Sequence, residues 1–203
     1  MIQQLRSLET QARLLTAAAD CFTRAGYDAT GVVEICARAG VSKGAFYHHF
    51  ASKQAVFLAL FNAWIADLEA VMQSARTPDK TAPQQLAALA GMVQQVFDTA
   101  TGQLPMFVEF WRQATKEPDV WQVTIEPYRR FRTAFAVLVS EGVAEGSLRP
   151  VNPELAAHVL VSLGVGLVLQ GVLDPKGAEW SGAAEEAIQL LLNGLGAEKA
   201  YEP

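Results

Sequence analysis

The sequence predicts an all-α chain of about nine helices, a three-helix head followed by a larger helical body. Three observations carry that prediction. Apolar residues recur at helical spacing, as in Leu8, Ala12, Leu15, Ala19 and Phe22, which advance by four, three, four and three positions. Two short apolar-striped segments flank a tight turn at Gly40, the signature of a helix-turn-helix. The composition is that of a folded chain: 203 residues, 51% hydrophobic and 18% charged, enough to bury a sizeable core.

In chain order, residues 1–7 read as a weakly ordered arm. A first helix follows from about Leu8 to Ala25 and ends at Gly26-Tyr27-Asp28. Thr30 is a candidate N-cap for a second helix, with Val32, Ile35, Cys36 and Ala39 as its apolar stripe and Gly40 as its stop. The next helix lies in Val41–Phe50. Phe46 and Phe50 share its inner side; Gly44 and His48 point outward beside Ala45 and Tyr47. Ser42 and Lys43 sit at its start, where free N–H groups and the dipole attract phosphate. No carboxylate occurs from Val41 to Ala51. A surface helix built for solubility would carry Glu–Lys pairs there; a helix lying on a polyanion would not.

Ser52 reads as the N-cap of a long helix, Lys53 to Ala75, which could act as a lever on the recognition helix. A proline-containing linker (77–83) leads to a helix from Gln84 to Ala100, broken by Thr101-Gly102. A short aromatic helix (104–115) and a long one (120–145) follow, and Pro127 predicts a kink or late start in the latter. Asn152 caps and Pro153 opens a helix that is apolar almost all round to Leu173; its polar side chains are His158, Ser162 and Gln170. A membrane span is the weaker reading of that stretch, because its glycines and polar trio suit a helix buried in protein. Gly182 to Leu195 is the last amphipathic helix. The domain division drawn from this pattern is 1–51 and 52–203.

The head resembles the TetR-type transcriptional repressors. The resemblance lies in Phe22, Gly26-Tyr27, Ala29-Thr30, Val33, Ile35, Ala37, Ala39 to Gly44, Phe46 to Phe50 and Ser52-Lys53, within about the first quarter to third of the chain. It implies that Thr30, Ser42, Tyr47 and Lys53 contact phosphates, while Lys43, Gly44, Ala45 and His48 lie nearest the base edges. It also implies a homodimer formed through the last two long helices (about 154–173 and 182–195), double-stranded operator DNA as partner, and a small-molecule effector inside the body. Charge agrees with this division. Residues 1–60 carry six Lys/Arg and four Asp/Glu, or +2; the other ten basic and seventeen acidic residues give −7. A mildly basic head on an acidic body favours site-specific docking over a general nucleic-acid coat.

The sequence presents no case for an enzyme, a cofactor or a metal. His48 and His49 are adjacent on a helix and diverge by about 100°, so they cannot chelate as an i, i+4 pair would. Gly164-x-Gly166 lies inside an apolar helix and is packing, not a phosphate loop. The body aromatics Trp64, Phe97, Phe107, Trp111, Trp121, Tyr128 and Phe131, with His158, are candidates to line an effector pocket; each singly also reads as core. Arg129, Arg130 and Arg132 could anchor an acidic ligand or form a solvated face. Cys21 and Cys36 read as small core residues of a reducing cytoplasm, and the N-terminus carries no apolar signal core. The leading expectation is a cytoplasmic, ligand-responsive repressor that binds a palindromic operator and is released by a mostly apolar effector. The alternative is a ligand- or partner-binding dimer without useful DNA affinity.

Overall fold

The structure, a computed structural model, describes residues 2–99 and 104–195. Ten helices appear among them: α1 (Ile2–Ala25), α2 (Val32–Ala39), α3 (Lys43–His49), α4 (Lys53–Ala75), α5 (Ala82–Ala88), α6 (Ala90–Thr99), α7 (Leu104–Ala114), α8 (Pro118–Ala144), α9 (Pro153–Leu173) and α10 (Trp180–Leu195). The expected all-α class is found. The helix beyond the expected nine arises at Leu89. There the ladder tightens, the Leu89 N–H bonding both Gln85 and Leu86 carbonyls, and divides one expected helix into α5 and α6. The expected break at Thr101-Gly102 lies outside the described residues.

The chain forms two compact units, Met1–Ala66 with Pro105–Thr124, and Asp67–Leu104 with Ile125–Pro203. This division differs from the 1–51/52–203 split drawn on the sequence. The reason is aromatic packing: the rings of Phe57 and Phe61 on α4 lie 4.4 and 4.7 Å from that of Phe110 on α7. Phe57 also meets Phe22 edgewise at 5.7 Å and Tyr27 at 4.7 Å. Half of α4 and all the described part of α7 beyond Leu104 therefore share a core with α1–α3.

Within the first unit, α1 begins at Ile2, so the expected arm is helical instead. The buried stripe of α1 is also shifted. Ala19 and Phe22 of the expected stripe are buried, together with Leu14, Ala17, Ala18 and Cys21, whereas Leu8 is exposed. Among the described side chains of its first turns, Leu5 and Leu8 are both exposed. Gly26 ends α1 with φ +80°, a backbone conformation that favours glycine.

In the second unit, α10 packs on α5, α6 and α9. By length and composition α4 and α9 could each cross a membrane. Within this unit α9 nevertheless buries Ala156, Ala157, Leu160, Leu167, Val168 and Gly171. Asn152 Oδ1 accepts from the Leu155 N–H at 3.1 Å and Pro153 opens the helix, both as expected. Pro127 lies inside α8, which starts early, at Pro118, and not late. Having no N–H, Pro127 leaves the Val123 carbonyl without its ladder donor. The boundary between the two units, Thr124/Ile125, falls in this same turn.

Gly142 on α8 marks a tight crossing in this unit. A Cβ there would lie 2.7 Å from Leu148 Cδ1 and 2.8 Å from Ala82 Cβ. Its carbonyl accepts from the Leu148 N–H at 2.9 Å, so neither side can retreat freely. Gly142→Ala is expected to destabilise the protein by about 1–3 kcal/mol through overpacking. Urea unfolding checks this; an unchanged midpoint would show that the crossing has slack.

Candidate nucleic-acid interface

The recognition element is α3, and its inner side is fixed first. Phe46 is 0% exposed and Phe50 6%. Their rings lie 6.1 Å apart, and Tyr47 meets Phe46 edgewise at 5.3 Å. Ser42 caps the helix: its Oγ accepts from the Ala45 N–H at 3.1 Å. With that face anchored, Lys43, Gly44, Tyr47 and His48 are exposed, and Ala45 and His49 are half-buried. The predicted face therefore exists as a continuous outer surface.

Two cations outside α3 hold the frame. Arg13 on α1 donates through Nη2 to the Ala39 carbonyl and, at 2.9 Å, to the Gly40 carbonyl. These acceptors lie at the end of α2, where helical carbonyls lack intrahelical partners. Gly40 sits there in the left-handed region at φ +63°. Sequence reasoning missed Arg13. No local spacing marked it, because its acceptors lie more than twenty-five residues further along the chain.

Lys53 was expected on a phosphate. Instead its Nζ donates to the carbonyls of Tyr27 at 2.7 Å and Thr30 at 2.8 Å, and lies 4.3 Å from the Tyr27 ring centroid. The lysine thus ties the start of α4 to the α1–α2 loop. Thr30 also differs from expectation. It is 2% exposed and its hydroxyl donates to the Gly26 carbonyl at 2.8 Å. The N-cap of α2 is Gly31, which supplies no side-chain acceptor. The Thr30 hydroxyl therefore closes the loop and is not presented to solvent.

The same loop is held from α7. Arg112 Nη2 pairs with Asp28 at 2.9 Å and with Glu109 at 2.6 Å, while the buried Gln113 amide donates to Glu109 at 2.9 Å and Asp28 at 3.3 Å. The Gln113 and Arg112 donors hold the Asp28 carboxyl below its usual range. Burial pushes Glu109 up, but the Arg112 and Gln113 hydrogen bonds outweigh it and the net shift is downward. Burial raises the Cys21 thiol, which is the opposite of what a reactive cysteine needs.

The residues expected around an effector divide between the two units. Trp64, Trp111 and Trp121 belong to the first, where Trp64 stacks on Phe110 at 12° and Trp121 is partly exposed. Phe97, Tyr128, Phe131 and His158 belong to the second. A methyl on Gly171 would overlap the Phe97 ring, so that ring packs directly on α9. The Phe107 side chain lies outside the described residues.

Residues 14–60 match the family described as bacterial regulatory proteins, tetR family, and residues 85–197 match the BetI-type transcriptional repressor C-terminal family. The regulator YfiR of Bacillus subtilis is 25% identical over 93% of this chain and 93% of its own. The repressor DhaR of a Mycobacterium species is 26% identical over 73% of this chain and 75% of its own. A transcriptional regulator from Saccharomonospora viridis, solved in complex with choline, superposes with a TM-score of 0.82 at 18% identity, covering 94% of this chain and 99% of that one.

Two outcomes test this geometry. Lys53→Met is expected to cost about 2 kcal/mol in urea unfolding, the scale of lost charged hydrogen bonds, while Lys43→Ala stays within about 0.5 kcal/mol. Equal stability of the two variants would return Lys53 to the solvent face. Asp28 and Glu109, with lowered carboxyl pKa values, stabilise the fold above their unfolded pKa near about 4. That contribution disappears as pH falls through the folded values. The melting temperature should drop more steeply below pH ~4 in the wild type than in Arg112→Met, which has lost the pairing beforehand.

Proposed function

This chain belongs to the tetR family of bacterial regulatory proteins, and from that premise we propose a cytoplasmic homodimeric repressor that docks α3 in the major groove of a palindromic operator and responds to a small-molecule effector. The observation that carries the DNA reading is the outer face of α3: Lys43, Gly44, Tyr47 and His48 exposed, without a carboxylate, on a capped and ring-anchored helix. Lys43 reaches a guanine edge, and the Ala45 methyl meets a thymine methyl. Ser42 Oγ, already accepting from Ala45, keeps its own proton to donate to a phosphate oxygen. The Tyr47 hydroxyl takes a second phosphate. At α2 the phosphate ligand is the uncapped helix start behind Gly31, in place of the Thr30 hydroxyl.

Support for a second copy comes from α9. Leu155, Val159, Leu169 and Leu173 are exposed and fall on one helical side with Ser162 and Gly166, and Leu190 on α10 is exposed as well. A symmetric pair covers such a stripe with itself. The effector acts by differential affinity for two states, transmitted along α4 and α8, two of the helices within which the chain passes from one unit to the other. The reading assigns no catalysis.

The test is fluorescence anisotropy of the full chain on the duplex upstream of its own coding region, with a scrambled duplex and a salt series. The expected result is a preference for the native duplex and an affinity that falls steeply with salt. Equal weak binding to every duplex in a genome-wide selection would overturn the regulator reading. In the same assay Lys43→Ala should lower specific affinity by about 1–3 kcal/mol if Lys43 reads a base. A loss within assay error would remove that role.

A further inference from the structure

Three arginines on one turn of α8 are not equivalent. Arg129 Nη1 lies 3.9 Å from Glu126, and Arg130 Nη2 lies 2.5 Å from Glu69. Both guanidinium groups have a carboxylate. Arg132 has none within 4.0 Å among the described residues. Its Nη1 contacts His158 Nε2 at 3.2 Å, and its Cζ lies 6.0 Å from the Tyr128 ring centroid. His158 Nδ1 is 2.7 Å from the Glu154 carbonyl oxygen, which can only accept. Nδ1 therefore carries a proton, and Nε2 offers Arg132 a lone pair but no negative charge. Arg132 Nε is buried and has no hydrogen-bond partner.

An N–H of a charged group left buried and unpaired is costly, and native structures keep such groups for a reason. Nη1 is engaged by His158. The opposite edge of the guanidinium, Nε with Nη2, presents two parallel N–H bonds, the geometry that a carboxylate fills bidentately. Only one of the three positive charges is uncompensated, which matches a monoanion better than a phosphate. His158 holds the fork in orientation without neutralising it.

We propose that Arg132 is the anchor for the carboxylate of an amphipathic effector in the second unit, with His158 as its positioning residue. This deepens the regulator reading above and rests on it for the word effector. The expectation of a mostly apolar ligand then becomes an apolar body with one acidic head. A quaternary ammonium of the same size would meet like charge at this position.

The test uses the full chain, wild type against Arg132→Met and Arg132→Lys, with three probes of matched length: octanoate, 1-octanol and octyltrimethylammonium, each below its micelle concentration. Thermal shift and titration calorimetry read binding. Octanoate is expected to stabilise the wild type and to bind Arg132→Met roughly tenfold more weakly or worse. Octanol should bind both proteins alike, and Arg132→Lys should keep part of the octanoate effect. Without ligand, Arg132→Met should melt no lower than the wild type, because a buried unpaired donor has gone. Absence of an octanoate shift in the wild type, equal octanoate affinity in Arg132→Met, or tighter binding of the ammonium overturns the proposal. A lower melting temperature of unliganded Arg132→Met also overturns it, making Arg132 a strut to His158. Operator binding is measured beside these titrations. Its absence in the wild type would count against the regulator reading and leave the carboxylate result standing by itself.

Discussion

A seven-residue helix cannot hold itself, and that constraint shapes the whole first unit. α3 has the costly nucleus of any helix and almost no length over which to recover it. Its stability is borrowed from the buried Phe46 and Phe50 and from the packing of α3 on α1 and α2. Those helices must in turn be fixed to one another. Their junctions are loops and helix ends, which expose main-chain carbonyls without ladder partners. Cationic side chains are the natural donors to such groups, with three to five N–H bonds each and a favourable sign at a helix C-terminus. Arg13 on the Ala39 and Gly40 carbonyls and Lys53 on the Tyr27 and Thr30 carbonyls fill that role.

This use of cations changes how the charge of the head should be read. A formal +2 suggests a basic surface, yet four of its six cations already have partners in the protein. Arg24 and Arg38 share Asp20, and Arg13 and Lys53 serve carbonyls. On the outer face of α3 the lysine is Lys43. In the proposed complex, recognition of a polyanion then leans on hydroxyls, helix-start N–H groups and shape, and comparatively little on diffuse attraction. Such a surface gains little from non-specific DNA and discriminates through contacts that need correct register.

The elements legible in the sequence were those decided by local rules. Gly40 as a left-handed stop, Ser42 and Asn152 as caps, Pro153 at a helix start and the Phe46/Phe50 face all follow from backbone geometry and period. The misreadings share a different cause. Leu8 and Ala12 have the helical period of a core face, but period does not say whether another element arrives to cover it. Thr30 and Lys53 were assigned outward because their types suit phosphates. Their actual partners are carbonyls: for Thr30 the one four residues back, a local alternative that competes with a phosphate, and for Lys53 ones about twenty-five residues away that no spacing rule points to. Leu89 reads as one more apolar position, and nothing local announces the tighter hydrogen bond that splits the helix there.

The glycines of α9 show the same limit in a sharper form and carry a consequence. Gly171 admits the Phe97 ring and brings Trp180 within 3.4 Å of where a Cβ would stand, while Gly164 does so for Val93 at 3.4 Å. Both face the helices of their own unit. Gly166 has nothing within 4 Å of its missing side chain and lies on the side that exposes Leu155, Val159, Leu169 and Leu173. In the sequence the three glycines look alike. In space, two shape the contact with the unit's own core and the third flattens an apolar face with no cover. A helix greasy all round is stable in water only when both sides are covered. The inner glycines account for one side, and a flat outer strip at Gly166 is the form that permits close approach of another apolar helix to the other.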